Sequence, residues 1–256
     1  MRGRTAQEKL AYWLFADRIP ITKLLIVLNV FTFLLIGLLH IPEIVYYLSF
    51  SSVTAHSMPW TALTYPLVWV GLSPISLIFA GYWLWVAGGN LERSWGSPTF
   101  AVYFFLMSAV SALGLYVGGL LTGIQVGLAG LWLPLAGVTI AFAMMNPEEV
   151  ILFFFIIPLK LKYLALIDVA MVLVSYGQTH IILGLFALTG CAASYWYVTS
   201  GRMLNFGAAR YEDRADIIRI KTKRSSTRNL NPLNRYRDYR ERKRLKDLFD
   251  KSGFED

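Results

Sequence analysis

Two ionisable side chains, Asp168 and His180, stand in otherwise apolar stretches of this 256-residue chain. A carboxyl group within an apolar helix is a candidate functional group, although a structural, protonated acid that hydrogen-bonds to a neighbouring helix would look the same. A histidine can act as base for a serine hydroxyl, but there is no serine between Ser111 and Ser175. We expect His180 to lie near the opposite membrane face from Asp168, without a direct pair. The single cysteine permits no intrachain disulfide, and without a metal-ligand cluster, phosphate loop or nucleotide motif we expect no metal and no cofactor.

Long stretches without charged residues indicate the segments in which these two side chains lie. The chain is 56% hydrophobic and 16% charged, whereas a soluble domain carries about 25% charged residues. No Lys or Arg occurs between Lys23 and Arg93, between Arg93 and Lys160, or between Lys162 and Arg202. Because a helix in water needs a polar face, gaps of this length indicate lipid as the surrounding solvent.

The apolar segments predict an all-α, polytopic membrane protein with six transmembrane helices. A spanning helix needs about 20 predominantly apolar residues. The run 150–174 contains a proline and two lysines, so we expect 150–157 to lie at the membrane interface and only the later part to span. The predicted spans are 21–40, 72–89, 99–121, 127–146, 162–177 and 179–199.

The basic residues predict the orientation of these spans. With six spans, all 24 Lys and Arg fall on one side of the membrane, which the positive-inside rule makes cytoplasmic. We therefore expect both termini in the cytoplasm, and we expect an integral protein of a bacterial-type plasma membrane.

Three domains follow from the change in composition along the chain. Residues 1–20 form a cytoplasmic or interfacial segment, residues 21–199 the membrane domain, and residues 200–256 a basic tail. The tail holds 16 of the 24 Lys and Arg, and residues 234–250 could form a short amphipathic helix. Basic segments beside a membrane attract anionic lipid headgroups. We expect the bilayer and such headgroups as partners, in preference to nucleic acid.

Four short motifs resemble the rhomboid family, in the same order along the chain. NLERSWGSPT (90–99) is similar to the end of the family's second helix, with Glu92 and Arg93 as a capping and loop-fixing pair. IPITKLL (19–25), PWTALTYP (59–66) and IIPLKLKYL (156–164) resemble the family's first helix, outer loop and fifth helix. The similarity covers about residues 18–199 and implies a six-helix rhomboid-like bundle.

The resemblance implies an intramembrane serine protease, whose nucleophile is the serine of a Gly-x-Ser-Gly sequence at the outer end of the fourth helix. Here Gly127 and Gly130 match the two glycines, but Ala129 stands at the serine position. An alternative register puts Trp132 there instead. Thr139, the hydroxyl within the fourth helix, lies ten residues beyond Ala129, about 15 Å deeper at ~1.5 Å per residue.

The other chemical positions implied by the family are also altered. Its asparagine that stabilises the oxyanion falls on Ala80, and its second-helix histidine falls on Ser76. His180 matches the base on the sixth helix, where Leu183 replaces the family's next glycine. Without a serine hydroxyl to deprotonate, His180 could not act as the base of a covalent mechanism.

We therefore interpret the sequence as a rhomboid-like pseudoprotease, a protein able to receive transmembrane segments of client proteins without cutting them. One alternative is an active intramembrane serine endopeptidase that uses Ser76, Ser108 or Ser111. Another is a small transporter-like protein that uses Asp168. The sequence favours a non-enzyme without deciding the matter.

Overall fold

The computed structural model describes residues 19–37, 39, 41, 43–70, 73–153 and 157–200. These residues belong to one compact unit, Met1–Gly207. The predicted N-terminal segment and basic tail lie almost wholly outside the described residues. The described helices are α1 (Pro20–Gly37), α2 (Glu43–Leu48), α3 (Thr61–Thr64), α4 (Pro74–Trp83), α5 (Gly89–Trp95), α6 (Ser97–Thr122), α7 (Trp132–Met145), α8 (Leu161–Gly177), α9 (Ile181–Ala187) and α10 (Thr189–Thr199).

Each predicted apolar segment contains a described helix, but not every helix is long enough to cross a membrane. By length and composition, three described stretches could span: Pro20–Gly37, Ser97–Thr122 and Ile181–Thr199. Helix α7 is apolar but has only 14 residues. A π-helical turn, Leu84–Gly88, continues α4 into α5. The helical, membrane-embedded character agrees with the prediction, whereas six spans do not follow from helix length alone.

The structure is mostly helical, as predicted, and it also contains two short antiparallel sheets. Strand β1 (Phe50–Ser51) pairs with β2 (Gly127–Leu128), and β3 (Val150–Phe153) pairs with β4 (Ile157–Lys160) in a hairpin. The hairpin occupies the segment predicted to lie at the interface. A backbone segment that is not helical but lies in apolar surroundings needs other hydrogen-bond partners for its N–H and C=O groups. Pairing with a second strand supplies them.

The core centres on α6, whose aromatic side chains contact α5, α7 and α10. The Tyr103 ring lies 5.0 Å from that of Trp95 and 5.3 Å from that of Tyr197, measured between centroids. The Tyr103 hydroxyl donates to the Gly137 carbonyl oxygen at 2.8 Å, and the Ser194 hydroxyl donates to the same oxygen at 2.7 Å. These hydrogen bonds satisfy buried polar groups and join three helices.

Candidate functional site

A cavity of about 940 Å³ lies between α4, α7 and α8. Ala129 and Leu131, in the loop before α7, line one part of it, and Val150 and Ile151, in the hairpin after α7, line another. The α8 part of the lining, from Leu164 to Val172, extends about 12 Å along that helix at ~1.5 Å per residue.

Each neighbouring helix presents one stripe of side chains to the cavity. The α4 stripe is Ser76, Phe79, Ala80 and Trp83, and the α8 stripe is Leu164, Asp168, Met171 and Val172. Both sets follow helical spacings of three and four residues, which place side chains on one face. The lining is mostly aliphatic and aromatic, with small residues at Ala80, Ala129, Gly130 and Ala136.

Both candidate nucleophile positions, Ala129 and Trp132, line this cavity. Ala129 lies in a loop, because the preceding Gly127–Leu128 is paired as β2 and α7 begins only at Trp132. The predicted start of the fourth helix at Gly127 is therefore wrong. Gly130 has a φ of 92°, a conformation that favours glycine, and its N–H donates to the Tyr65 carbonyl oxygen at 2.9 Å.

Ser76 and Ala80, the α4 positions at which the rhomboid resemblance implies a histidine and an asparagine, also line the cavity. Ala80 offers no donor to a developing oxyanion. The Ser76 hydroxyl donates to the carbonyl oxygen of Ser73 at 2.7 Å, within its own helical turn. The structure thus brings Ser76, Ala80, Ala129 and Trp132 around one space, and no histidine is among the described residues that line it.

His180 is not among the residues that line the cavity. It precedes α9, and its Nδ1 accepts a hydrogen bond from the backbone N–H of Ile182 at 3.3 Å. Ser108 and Ser111 instead donate to the carbonyl oxygens of Phe104 at 2.7 Å and Met107 at 2.9 Å. Within the described part of the chain, none of the three alternative serines hydrogen-bonds to His180.

Asp168 lies on the α8 stripe, near the hydroxyl of Thr139. That hydroxyl donates to the Leu135 carbonyl oxygen at 2.9 Å and accepts from the Trp83 indole N–H at 2.8 Å. Sequence analysis missed Trp83, although Thr139 as a hydroxyl within the fourth helix could have suggested a polar partner. Asp168 therefore lies on the cavity lining beside a hydrogen bond from Trp83 to the buried Thr139 that joins α4 to α7.

The hairpin that lines the cavity is held by an exposed ion-pair cluster. The ammonium groups of Lys160 and Lys162 lie 2.7 Å and 2.5 Å from the two carboxylate oxygens of Glu148. Their hydrogen bonds lower the pKa of the Glu148 carboxyl group from 4.5 to about 2. The cluster joins the chain after α7 to the end of β4 and the start of α8.

Below about pH 8, order in the hairpin should depend on pH only under acidic conditions. Since the pKa of Glu148 is lower in the folded than in the unfolded chain, its contribution is fully present above about pH 4.5 and is lost as the pH falls toward 2. We expect hydrogen-exchange protection of the two strands, 150–153 and 157–160, corrected for intrinsic rates, to be constant from about pH 8 to 5 and to fall below that. Glu148→Gln should remove this dependence, and Glu149→Gln should preserve it; equal behaviour of both variants would contradict the prediction.

The family-like pair Glu92 and Arg93 separates into two environments. Glu92 is 1% exposed, and its carboxylate accepts hydrogen bonds from the first turn of α1. Arg93, the next residue of α5, is exposed. Glu92 therefore links α5 to α1, away from the cavity lining.

The long apolar helices and the apolar cavity are those of an integral membrane protein. The family model described as Eukaryotic integral membrane protein (DUF1751) matches residues 23–205, and the chain belongs to this family. No curated protein matches it. Because the family is eukaryotic, the expected bacterial-type plasma membrane was the wrong setting. Membership of this family assigns no activity to the chain.

Proposed function

We propose that this protein is a rhomboid-like pseudoprotease that binds a transmembrane segment of a client protein in the cavity between α4, α7 and α8. In this proposal all six predicted spans cross the membrane, both termini are cytoplasmic, and the basic tail contacts anionic headgroups. The observation that carries the proposal is a mostly apolar cavity lined by Ala80 and Ala129, the two alanines at positions where the rhomboid resemblance implies chemical groups.

The dimensions of the cavity suit a helix. A cylinder about 10 Å wide with a rise of ~1.5 Å per residue takes up roughly 120 Å³ per residue. The volume of about 940 Å³ therefore accommodates about eight residues, or two turns, of a helix. Small side chains such as Ala80, Ala129 and Ala136 allow a helix backbone to approach closely, as in helix pairs within membranes. These features support a helix as the occupant.

The composition of the cavity supports binding without cleavage. Hydrolysis by a serine protease requires a hydroxyl, a base and a donor for the oxyanion around one carbonyl carbon. Ala129 or Trp132 supplies no nucleophile, Ala80 supplies no donor, and His180 does not line the cavity. A bound segment would meet packing surfaces rather than reactive groups.

Site-specific photocrosslinking tests the proposed binding. A benzophenone side chain at Phe79, in the cavity, should crosslink to a co-reconstituted single-span peptide, whereas the same group at Leu120, an exposed position on α6, should crosslink weakly. Ala80→Trp should fill the cavity and reduce crosslinking at Phe79 several-fold. Ala192→Trp, at an exposed position on α10, is the matched control. Equal crosslinking in both tryptophan variants would refute the proposal.

An activity-based probe separates this proposal from the active-protease alternative. The wild-type protein in lipid should not react with a fluorophosphonate and should leave rhomboid substrates intact. Labelling that is lost on substitution of Ser76, Ser108 or Ser111 by alanine would establish the protease instead.

The transporter alternative is favoured by one observation, the presence of Asp168 on the cavity wall. A carboxylate within a membrane often marks a path for protons or cations. Proton or cation flux in liposomes that is abolished by Asp168→Asn would support this alternative.

A further inference from the structure

We infer that Asp168 selects the occupant of the cavity, favouring transmembrane segments that carry a lysine or arginine within their apolar stretch. This inference rests on the proposed client-binding function and names the class of client. It follows from the position, the hydrogen-bonding and the charge surroundings of the Asp168 carboxylate.

The Asp168 carboxylate lies where a helix bound in the cavity would pass. Asp168 follows Leu161, the first residue of α8, by seven residues, or about 11 Å along the helix axis at ~1.5 Å per residue. Leu164 lies before it on the same stripe and Met171 after it. Among the described residues that line the cavity, Asp168 alone carries a formal charge. A client side chain would therefore meet the charge within the apolar part of the cavity rather than at its rim.

The protein leaves most of the accepting capacity of this carboxylate unused. An ionised carboxylate can accept about four hydrogen bonds. Among the described residues, the neighbouring donor is the Thr139 hydroxyl, whose single hydrogen is directed at the Leu135 carbonyl oxygen at 2.9 Å. A donor that enters the cavity would find free acceptor positions on Asp168.

The nearby lysines do not supply the missing charge. Lys160 and Lys162, at the junction of β4 and α8, each donate to Glu148 instead, at 2.7 Å and 2.5 Å. An ionised carboxylate in lipid is unfavourable, and so is an ammonium or guanidinium group on an isolated transmembrane helix. Pairing the two relieves both penalties, so charge complementarity favours a basic client over an apolar one.

Binding of two matched peptides to the full-length protein in nanodiscs tests the inference. Both peptides are Leu/Ala transmembrane helices, and one carries a central lysine where the other has leucine. We expect the lysine peptide to bind about tenfold more tightly to the wild type, since hydrogen bonds between membrane helices have effects of this order. Asp168→Asn should reduce the difference to about twofold or less. Asp168→Lys should reverse the preference toward a peptide with a central glutamate.

The controls separate this inference from the proposed function. Glu149→Gln, which removes an exposed acid that does not line the cavity, should leave the lysine preference intact, and thermal unfolding of Asp168→Asn should match that of the wild type. Equal binding of both peptides to the wild type, with Ala80→Trp still blocking both, would overturn the role of Asp168 but leave client binding standing. A lysine preference that persists in Asp168→Asn would also overturn it. Binding that Ala80→Trp does not affect would refute client binding itself.

Discussion

Replacing Glu92 with alanine should lower the free energy of unfolding by about 3 kcal/mol, since it removes a charged helix cap that is also buried. The carboxylate accepts from the backbone N–H groups of Ile21 and Thr22 at 2.9 Å and 2.8 Å, and from the Thr22 hydroxyl at 2.7 Å. The first N–H groups of a helix have no partner within it, and a negative charge there also interacts favourably with the helix dipole. Alanine would leave these donors buried and unsatisfied.

A denaturant titration in detergent micelles, followed by tryptophan fluorescence, would measure this loss. Glu92→Gln keeps one acceptor oxygen and should lower stability by roughly half as much. Arg93→Ala changes the exposed neighbour on the same helix and should stay within about 0.5 kcal/mol of the wild type. A Glu92→Ala protein as stable as Arg93→Ala would show that the cap contributes little.

Gly184→Ala should destabilise the protein by about 1–3 kcal/mol through overpacking between α8 and α9. A Cβ atom at Gly184 would lie 2.8 Å from the Leu173 carbonyl oxygen and 2.9 Å from the Gly177 Cα. Both are backbone atoms, so no side-chain rotation can make room. The two helices would have to separate, and α8 carries the cavity stripe with Asp168.

Gly37→Ala is the matched control for this prediction, because nothing lies within 4 Å of a Cβ at that helical position. Alanine there should be neutral or stabilising by up to about 1 kcal/mol, as expected from helix propensity. Thermal unfolding in nanodiscs would compare the two variants. Equal stability of both would mean that α8 and α9 can move apart without loss.

A separation of α8 from α9 should also change the shape of the cavity, because α8 forms part of its lining. If Gly184→Ala displaces α8, the crosslinking yield at Phe79 should change along with stability, whereas Gly37→Ala should affect neither. The close approach of these helices thus links the stability of the bundle to the position of the proposed client site.

The rhomboid resemblance gives an order of residues along the chain but not their positions in space. Ala80, Ala129 and Trp132, which the resemblance singles out, line the cavity together with Asp168, whereas His180, which it associates with the nucleophile position, caps α9 outside the lining. Gly184 allows α9 to approach α8 closely. The family pattern would place a glycine one residue earlier, at the position of Leu183. A motif conveys order along the chain, but a shift of one residue turns a side chain about 100° around a helix.

The sequence by itself determined that this protein belongs in a membrane and where its main helices lie, because charge and apolar length are local properties that the bilayer selects directly. Only the tertiary structure decided which distant segments meet. The pairing of Phe50–Ser51 with Gly127–Leu128 delays the start of α7 to Trp132 and leaves Ala129 in a loop. Glu92 caps a helix 70 residues earlier, and Thr139 lies between Trp83 and Asp168, two residues that line the cavity. Such contacts depend on how helices pack, and packing is a property of pairs of distant segments that no local pattern encodes.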